Sequence, residues 1–345
     1  MLLARSWRDH VVYIGFVVVF AFFAITQGPS FLSGTTLVNI VTQATPITIM
    51  AVGAVFVLSL GEIDLSIGST VALAALTAAL ALQATGAWWI AALAGLAVGA
   101  AVGLVNGLFI TLVRLPSFLV TLATMGLVAG LAQQVTNLQS VPVTDQAFGW
   151  IFGAGAVAGV PILIVWSVVV AAIGWHVLRQ RRFGAHVLAV GNNASAARVS
   201  GIRVTRVRIA VFMLSGATAA LAGLLYAGRL AGATYTLGTT DLMSVLAAVI
   251  VGGTALTGGR ASMIGAVVGS LFMSMINYGL LLAGLTVAQQ EIVRGIIILI
   301  AVSLSLRGKK EADPCSSHSC AAATRGSSTP PSPPTEPATS RRTPT

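Results

Sequence analysis

The 345-residue chain is 56% hydrophobic and 8% charged, with a formal net charge of +10, so most of it requires an apolar solvent and a soluble domain is excluded. Continuous apolar runs of about 18 to 25 residues point to membrane-spanning helices and exclude an outer-membrane barrel, whose strands alternate in polarity over about 10 residues. The excess of positive charge is accounted for by membrane topology and attraction to anionic lipid heads, and nucleic acid is not an expected partner.

Turn signals divide the apolar runs into about ten predicted transmembrane helices. They cover residues 11–27, 37–60, 65–83, 88–111, 117–136, 160–178, 208–228, 242–258, 262–283 and 289–306. The expected fold is an all-α polytopic membrane protein. The first span reads as a retained helix, because Gln27-Gly-Pro-Ser is a poor cleavage site and further spans follow it. Between Val11 and Leu178 the only charged residues are Glu62, Asp64, Arg114 and Asp145, and between Ile209 and Leu306 only Arg229, Asp241, Arg260, Glu291 and Arg294. Since Lys and Arg resist translocation, a cytoplasmic N-terminus places Arg5, Arg8, Arg114, all the arginines of residues 179–208, Arg260, Arg307, Lys309 and Lys310 inside and only Arg229 outside. Ten spans then leave both termini in the cytoplasm, with residues 1–10 and 307–345 flanking a transmembrane domain over 11–306.

Gly61-Glu-Ile-Asp-Leu-Ser-Ile-Gly-Ser69 is a polar break between two spans. Asp64 or Ser66 there is placed to N-cap the helix beginning near Leu65. Alternatively Glu62, Asp64 and Ser66 line a water-filled path, since an intramembrane acid is a functional candidate. Gly95, Gly99, Gly103 and Gly107 recur every fourth residue and form a groove on one helix face, open either to packing within the subunit or to an interface or sliding surface. Beside them Asn106 reads as an interhelical hydrogen bond or a substrate ligand. Gly252, Gly253, Gly258 and Gly259 admit tight packing or a flexible path lining. Glu291 and Arg294 are spaced to pair on one helix face, and Trp88, Trp89, Trp150 and Tyr235 fit an interfacial aromatic belt.

Residues 179–208 form a polar island with seven arginines. Within it, Asn193 or Ser195 is placed to cap a short helix over residues 194–199 that Gly201 stops. Such a helix suits a groove on a partner, whereas an ordinary positive-inside loop would be shorter than about 28 residues. The segment after Gly308 holds seven of the twelve prolines among Ser, Thr and Ala and is expected to be disordered. Cys315 and Cys320 in it read as free thiols rather than a metal site. No Gly-x4-Gly-Lys-Ser/Thr phosphate loop occurs, and the four histidines lack ligand spacing. The chain thus shows no chemistry of its own, and uphill transport would draw on a coupled ion or a separate ATPase.

Several pieces occur together in one order: 61–69 as above, Val105-Asn-Gly107, Leu115-Pro-Ser-Phe-Leu-Val-Thr-Leu122, Phe183-Gly184 to Gly201-Ile202, Leu214-Ser-Gly-Ala-Thr-Ala-Ala-Leu-Ala-Gly223, and Val251-Gly-Gly-Thr-Ala-Leu-Thr-Gly-Gly-Arg260 with Ile264-Gly265. From about residue 10 to 306 the chain resembles the membrane subunits of sugar ABC importers, the ribose/xylose/arabinose permease family. Glu62, Asn192 and Ala261 depart from that pattern, standing where the family often has Gly, and the tail after Lys310 is not a usual family element.

The resemblance implies a multi-pass subunit of the bacterial inner membrane that moves a monosaccharide or similar polyol by alternating access. It implies a second permease copy or paralogue, cytoplasmic ABC ATPase subunits and an extracytoplasmic sugar-binding protein as partners, with ATP and Mg held by the ATPase and no cofactor on this chain. The island is then a coupling loop, with Gly191, Asn192, Asn193, Ala196, Ala197, Arg198 and Gly201 at the ATPase groove. The reading from a different class is an ion-coupled secondary transporter of a small polar solute, for which Glu62 and Asp64 are the available carboxylates.

Overall fold

In the computed structural model the described residues are 2–310. The disordered tail expected from Gly308 lies outside them beyond Lys310, as do Cys315 and Cys320. Contacts divide the chain into two units, one ending at Val302 and one beginning at Ser303.

The helices in order are α1 (Leu2–Gln27), α2 (Pro29–Leu32), α3 (Gly34–Ser59), α4 (Ile67–Thr85), α5 (Trp88–Leu108), α6 (Ser117–Thr136), α7 (Gln146–Gly149), α8 (Ile162–Gln180), α9 (Arg182–Asn192), α10 (Ala194–Val199), α11 (Val204–Arg229), α12 (Asp241–Val251), α13 (Met263–Leu282) and α14 (Val287–Lys310). A π-helical turn, Phe109–Val113, continues α5. Two short antiparallel pairs join loops: β1 (Val141–Pro142) with β4 (Gly232–Ala233), and β2 (Ala156–Val157) with β3 (Val160–Pro161). Among the described residues seven helices are long and apolar enough to cross a membrane: α3, α4, α5 with its π turn, α6, α8, α11 and α13.

Apolar composition does not distinguish a central from a peripheral membrane helix; burial does. The most apolar stretch of α3 is 89% buried, whereas that of α8 is 17% buried. α3 is therefore the axis of the bundle, packed against α11, α13, α8 and α12. Its internal Pro46 has no backbone N–H to give, and Thr45 Oγ1 beside it donates to the carbonyls of Val41 and Leu163. The outward faces of α6 and α8 carry exposed Leu119, Leu127, Leu131, Val168 and Ile173, which a bilayer would solvate.

The glycine groove is filled from within the chain. α5 and α11 lie backbone to backbone: a Cβ at Gly99 would stand 2.3 Å from the Gly216 carbonyl oxygen, and one at Gly103 2.1 Å from that of Phe212. Gly107 meets the Ile209 backbone, while Gly95 meets the Ala74 carbonyl and the Leu224 side chain. Four small residues on successive turns give this close approach directly.

One expected span needs correction. The run over 242–258 is helical only as far as Val251. Gly253, Gly258 and Gly259 have φ of +91°, +79° and +76°, a region that ends a right-handed helix and suits glycine. The chain therefore passes from α12 to α13 through an irregular turn.

Candidate functional site

The site is built on the break between α3 and α4. After Leu60 the backbone amides of Gly61 and Glu62 still bond to the Leu58 and Val57 carbonyls. The chain then runs extended, and α6 takes up its free groups: Ile63 N donates to Ser117 Oγ (3.2 Å), and Thr121 Oγ1 donates to the Ile63 carbonyl (3.1 Å). An irregular segment packed among apolar helices requires such partners, because an unpaired amide or carbonyl has no water there.

Asp64 follows, 2% exposed, and is fully engaged. Its Oδ1 accepts from Ser66 N (3.0 Å) and Ser66 Oγ (2.6 Å), and its Oδ2 accepts from Ser215 Oγ (2.8 Å) on α11. Asn106 Nδ2 on α5 donates in turn to Ser66 Oγ (2.9 Å). Asp64, Ser66, Asn106 and Ser215 are all buried, and they form a polar knot tying the break to α5 and α11, in which the Asn106 Oδ1 alone is left without a partner. The expected N-cap is corrected in detail. α4 begins at Ile67 with Ser66 at the cap position, but the Ser66 side chain makes no cap bond, because its hydroxyl is engaged by Asp64 and Asn106. Asp64 secures the turn one step earlier, at the amide of Ser66. Glu62 points elsewhere, to Arg208 Nη2 at 3.2 Å, the one ion pair among the described residues.

The arginine island folds into α9, α10 and the start of α11. Apolar Val187 and Val190 seat α9 on the bundle. Asn193 Oδ1 accepts from the amides of Ser195 and Ala196 (both 3.0 Å), which starts α10 as an N-cap does. Gly201, at φ +83°, lets the chain reverse, and its amide returns to the Arg198 carbonyl. Ala197 is buried, whereas Ala196, Arg198 and Val199 are exposed, Val199 at 91%. α10 thus stands off the body on one small anchor.

Gly191 connects this lever to the core. A Cβ there would lie 1.8 Å from the Ser59 carbonyl oxygen at the end of α3, and 2.8 Å from Gly259 N. Gly259 N itself donates to the Ser59 carbonyl (2.9 Å), and Gly258 packs on Gly191 and Gly61. The end of α3, the end of α9 and the α12–α13 turn therefore meet in one backbone junction. Asn192 touches Gly259 across it.

Between the α5–α6 turn and the start of α11 opens a cleft of about 390 Å³, lined by Glu62, Arg114, Arg198 and Arg208 among others. At the opposite ends of the helices Tyr226 donates to Asp241 Oδ2 (2.6 Å). Arg294 reaches the Thr240 carbonyl (2.9 Å) and Asn277 Oδ1 (3.2 Å), so it crosses to α13 rather than pairing with Glu291 along its own helix.

Sequence reasoning missed Ser117, Thr121 and Ser215. All three stand inside the stretches 115–122 and 214–223 that carried the resemblance. That placement was the available signal, since a hydroxyl in an apolar helix does not name its partner.

The chain matches the family described as "Branched-chain amino acid transport system / permease component" over residues 36–302. It is 38% identical over 281 residues to the ribose import permease protein RbsC of Escherichia coli (strain K12), covering 80% of this chain and 87% of that protein. It is 36% identical over 278 residues to RbsC of Bacillus subtilis (strain 168), covering 80% and 86%. It is 36% identical over 295 residues to the L-arabinose ABC transporter permease protein AraH of Azospirillum brasilense, covering 86% of each. With its apolar spanning helices and these relatives, the chain belongs to the family of multi-pass inner-membrane permeases of ABC importers.

Proposed function

We propose that the chain is the membrane-spanning permease subunit of an importer for a monosaccharide, a pentose or hexose, or a similar polyol, driven by a separate ATPase. The observation that carries the coupling reading is α10: a capped six-residue helix with Ala196, Arg198 and Val199 exposed, connected through Gly191 to the end of the central helix α3. A force on α10 has a rigid route into the bundle, because backbone at Gly191, Ser59 and Gly259 is in direct contact. The ribose and arabinose permeases among the relatives support the sugar class.

In this reading the chain crosses the membrane ten times with both termini cytoplasmic, α10 enters a groove of the ATPase, and ATP and Mg stay on that partner. A second permease copy or paralogue and an extracytoplasmic sugar-binding protein complete the assembly. Asp64, Ser66 and Asn106 act as positioning groups that hold the α3–α4 break, since each is already hydrogen-bonded within the chain. The glycines from Gly95 to Gly107 hold α5 on α11.

The experiment is affinity purification from native membranes in mild detergent, followed by ATP-dependent sugar uptake in liposomes. Recovery of an ATPase and a binding protein, with uptake that needs ATP, is the expected result. Uptake by the chain alone that follows an ion gradient would replace this proposal with a secondary transporter.

A further inference from the structure

We propose that the cleft between the α5–α6 turn and the start of α11 is a binding site for the phosphodiester headgroup of an anionic phospholipid. This goes beyond the transport reading and rests only on the chain's place in a bilayer.

Three guanidinium groups, Arg114, Arg198 and Arg208, face a single carboxylate, Glu62, across about 390 Å³. Glu62 takes Arg208 at 3.2 Å. The side chains of Arg114 and Arg198 have no hydrogen-bond or ion-pair partner among the described residues. The cleft is therefore lined by two unneutralised cations, while its own acid is already engaged by Arg208. A phosphodiester matches this: one negative charge shared by two non-bridging oxygens, which arginine recognises in a bidentate manner.

The source of the phosphate follows from the surroundings. Arg114 stands between the π turn that ends one span and Ser117, which begins the next, so the cleft lies where two spans end, at headgroup level. Phe109, Leu112, Val113, Leu115, Phe118 and Leu119 around it are exposed. That apolar surface would take the acyl chains of a lipid whose headgroup occupies the cleft. A free phosphate would use the arginines alone. Basic pockets at the cytoplasmic ends of spanning helices are suited to anionic headgroups. An occupant here would touch Arg198 on α10 and Arg114 on the α5–α6 turn together, bracing the lever against the bundle.

The test uses the full chain with its co-purifying partners, extracted in mild detergent, and counts retained lipids by native mass spectrometry. After delipidation, phosphatidylglycerol and phosphatidylethanolamine are added back at equal mole fraction. Retained phosphatidylglycerol in clear excess over phosphatidylethanolamine is expected, with about tenfold lower occupancy in the Arg114→Gln/Arg198→Gln double variant. Equal retention of the two lipids by the unaltered chain overturns the proposal, whatever the variant does. So does wild-type phosphatidylglycerol retention by a folded double variant, and so does displacement of the lipid by millimolar inorganic phosphate. The charge-keeping Arg114→Lys/Arg198→Lys variant should keep most of the lipid. None of these readouts needs ATPase recovery or sugar uptake, so failure of the transport reading would be seen separately.

Discussion

Asp64 is a carboxylate taken out of water, and its three hydrogen bonds decide how its removal will behave. Interhelical hydrogen bonds in membrane proteins average about 0.6 kcal/mol, but bonds to a charged group contribute about 1.5–3 kcal/mol. Asp64→Ala deletes the acceptor of Ser66 N, Ser66 Oγ and Ser215 Oγ together. It is expected to lower the thermal unfolding midpoint and the yield of assembled protein, by the equivalent of about 2 kcal/mol or more. Unchanged stability with uptake lost would instead place Asp64 in the sugar path. Ser244 and Ser274 give the contrast, since both hydroxyls are buried without a partner. Ser244→Ala removes an unsatisfied group, and the midpoint should stay level or rise, because such a group costs about 1–3 kcal/mol to bury.

Glu62 extends the same argument to a residue the sequence marks as a path candidate and as a departure from the family pattern. Arg208, the first residue of an expected span, supplies its counter-charge at 3.2 Å from inside α11. The sequence places Arg208 in the cytoplasmic island and Glu62 in the break between two spans. It does not pair them, because their proximity depends on how α11 crosses the end of α3.

At the scale of elements, glycine spacing and capping residues were the most legible signals. Four glycines one turn apart predicted a close helix contact, and α11 lies in that groove. The sequence could not name α11, because a smooth face is complementary to any other smooth face; Gly216 supplies the matching surface, while Gly223 faces Val71 on α4. Gly103→Leu would place a branched side chain where even a Cβ stands 2.1 Å from the Phe212 carbonyl oxygen. Loss of assembled protein in the membrane is the expected outcome, checked by quantitative blotting, since overpacking costs about 1–3 kcal/mol or more where the backbone cannot yield.

α10 was legible in nearly full detail, because Asn193 and Gly201 mark its two ends locally. Its consequence is separable from stability. Ala197→Asp buries a charge at the anchor of a helix that otherwise stands clear of the bundle, so insertion should persist while ATPase recovery falls. Co-purification with an ATPase at wild-type levels would remove α10 from the coupling role. Gly191, by contrast, is legible as a coupling-loop glycine and not as a contact of the core. Its contact with Ser59 joins residues 132 positions apart, which no local pattern encodes.

On the scale of the whole molecule, the open question is whether the chain crosses the membrane between Asp241 and Met263. As a helix α12 is eleven residues long, about 16 Å at 1.5 Å per residue, against a hydrocarbon thickness of about 30 Å. Helix alone does not span it. The remaining distance falls to residues 252–262, whose irregular backbone can lie at membrane depth only where protein covers it. Protein covers it at Gly252, which packs on Gly265, and at Gly258, which packs on Gly191 and Gly61 at the end of α3, while Gly253 and Thr257 between them are exposed. The far end of the turn thus reaches the same junction as the arginine island, and a crossing puts Arg260 on the side of Arg198. In a background with Cys315 and Cys320 changed to serine, an impermeant maleimide should label Thr239→Cys and Thr85→Cys from outside the cell. Arg260→Cys and Ser200→Cys should react only once the cytoplasmic face is opened. Labelling of Arg260→Cys together with Thr239→Cys from outside would make α12 a re-entrant segment. The count of crossings would then be odd over residues 2–310, and the cytoplasmic placement of one terminus would have to be given up.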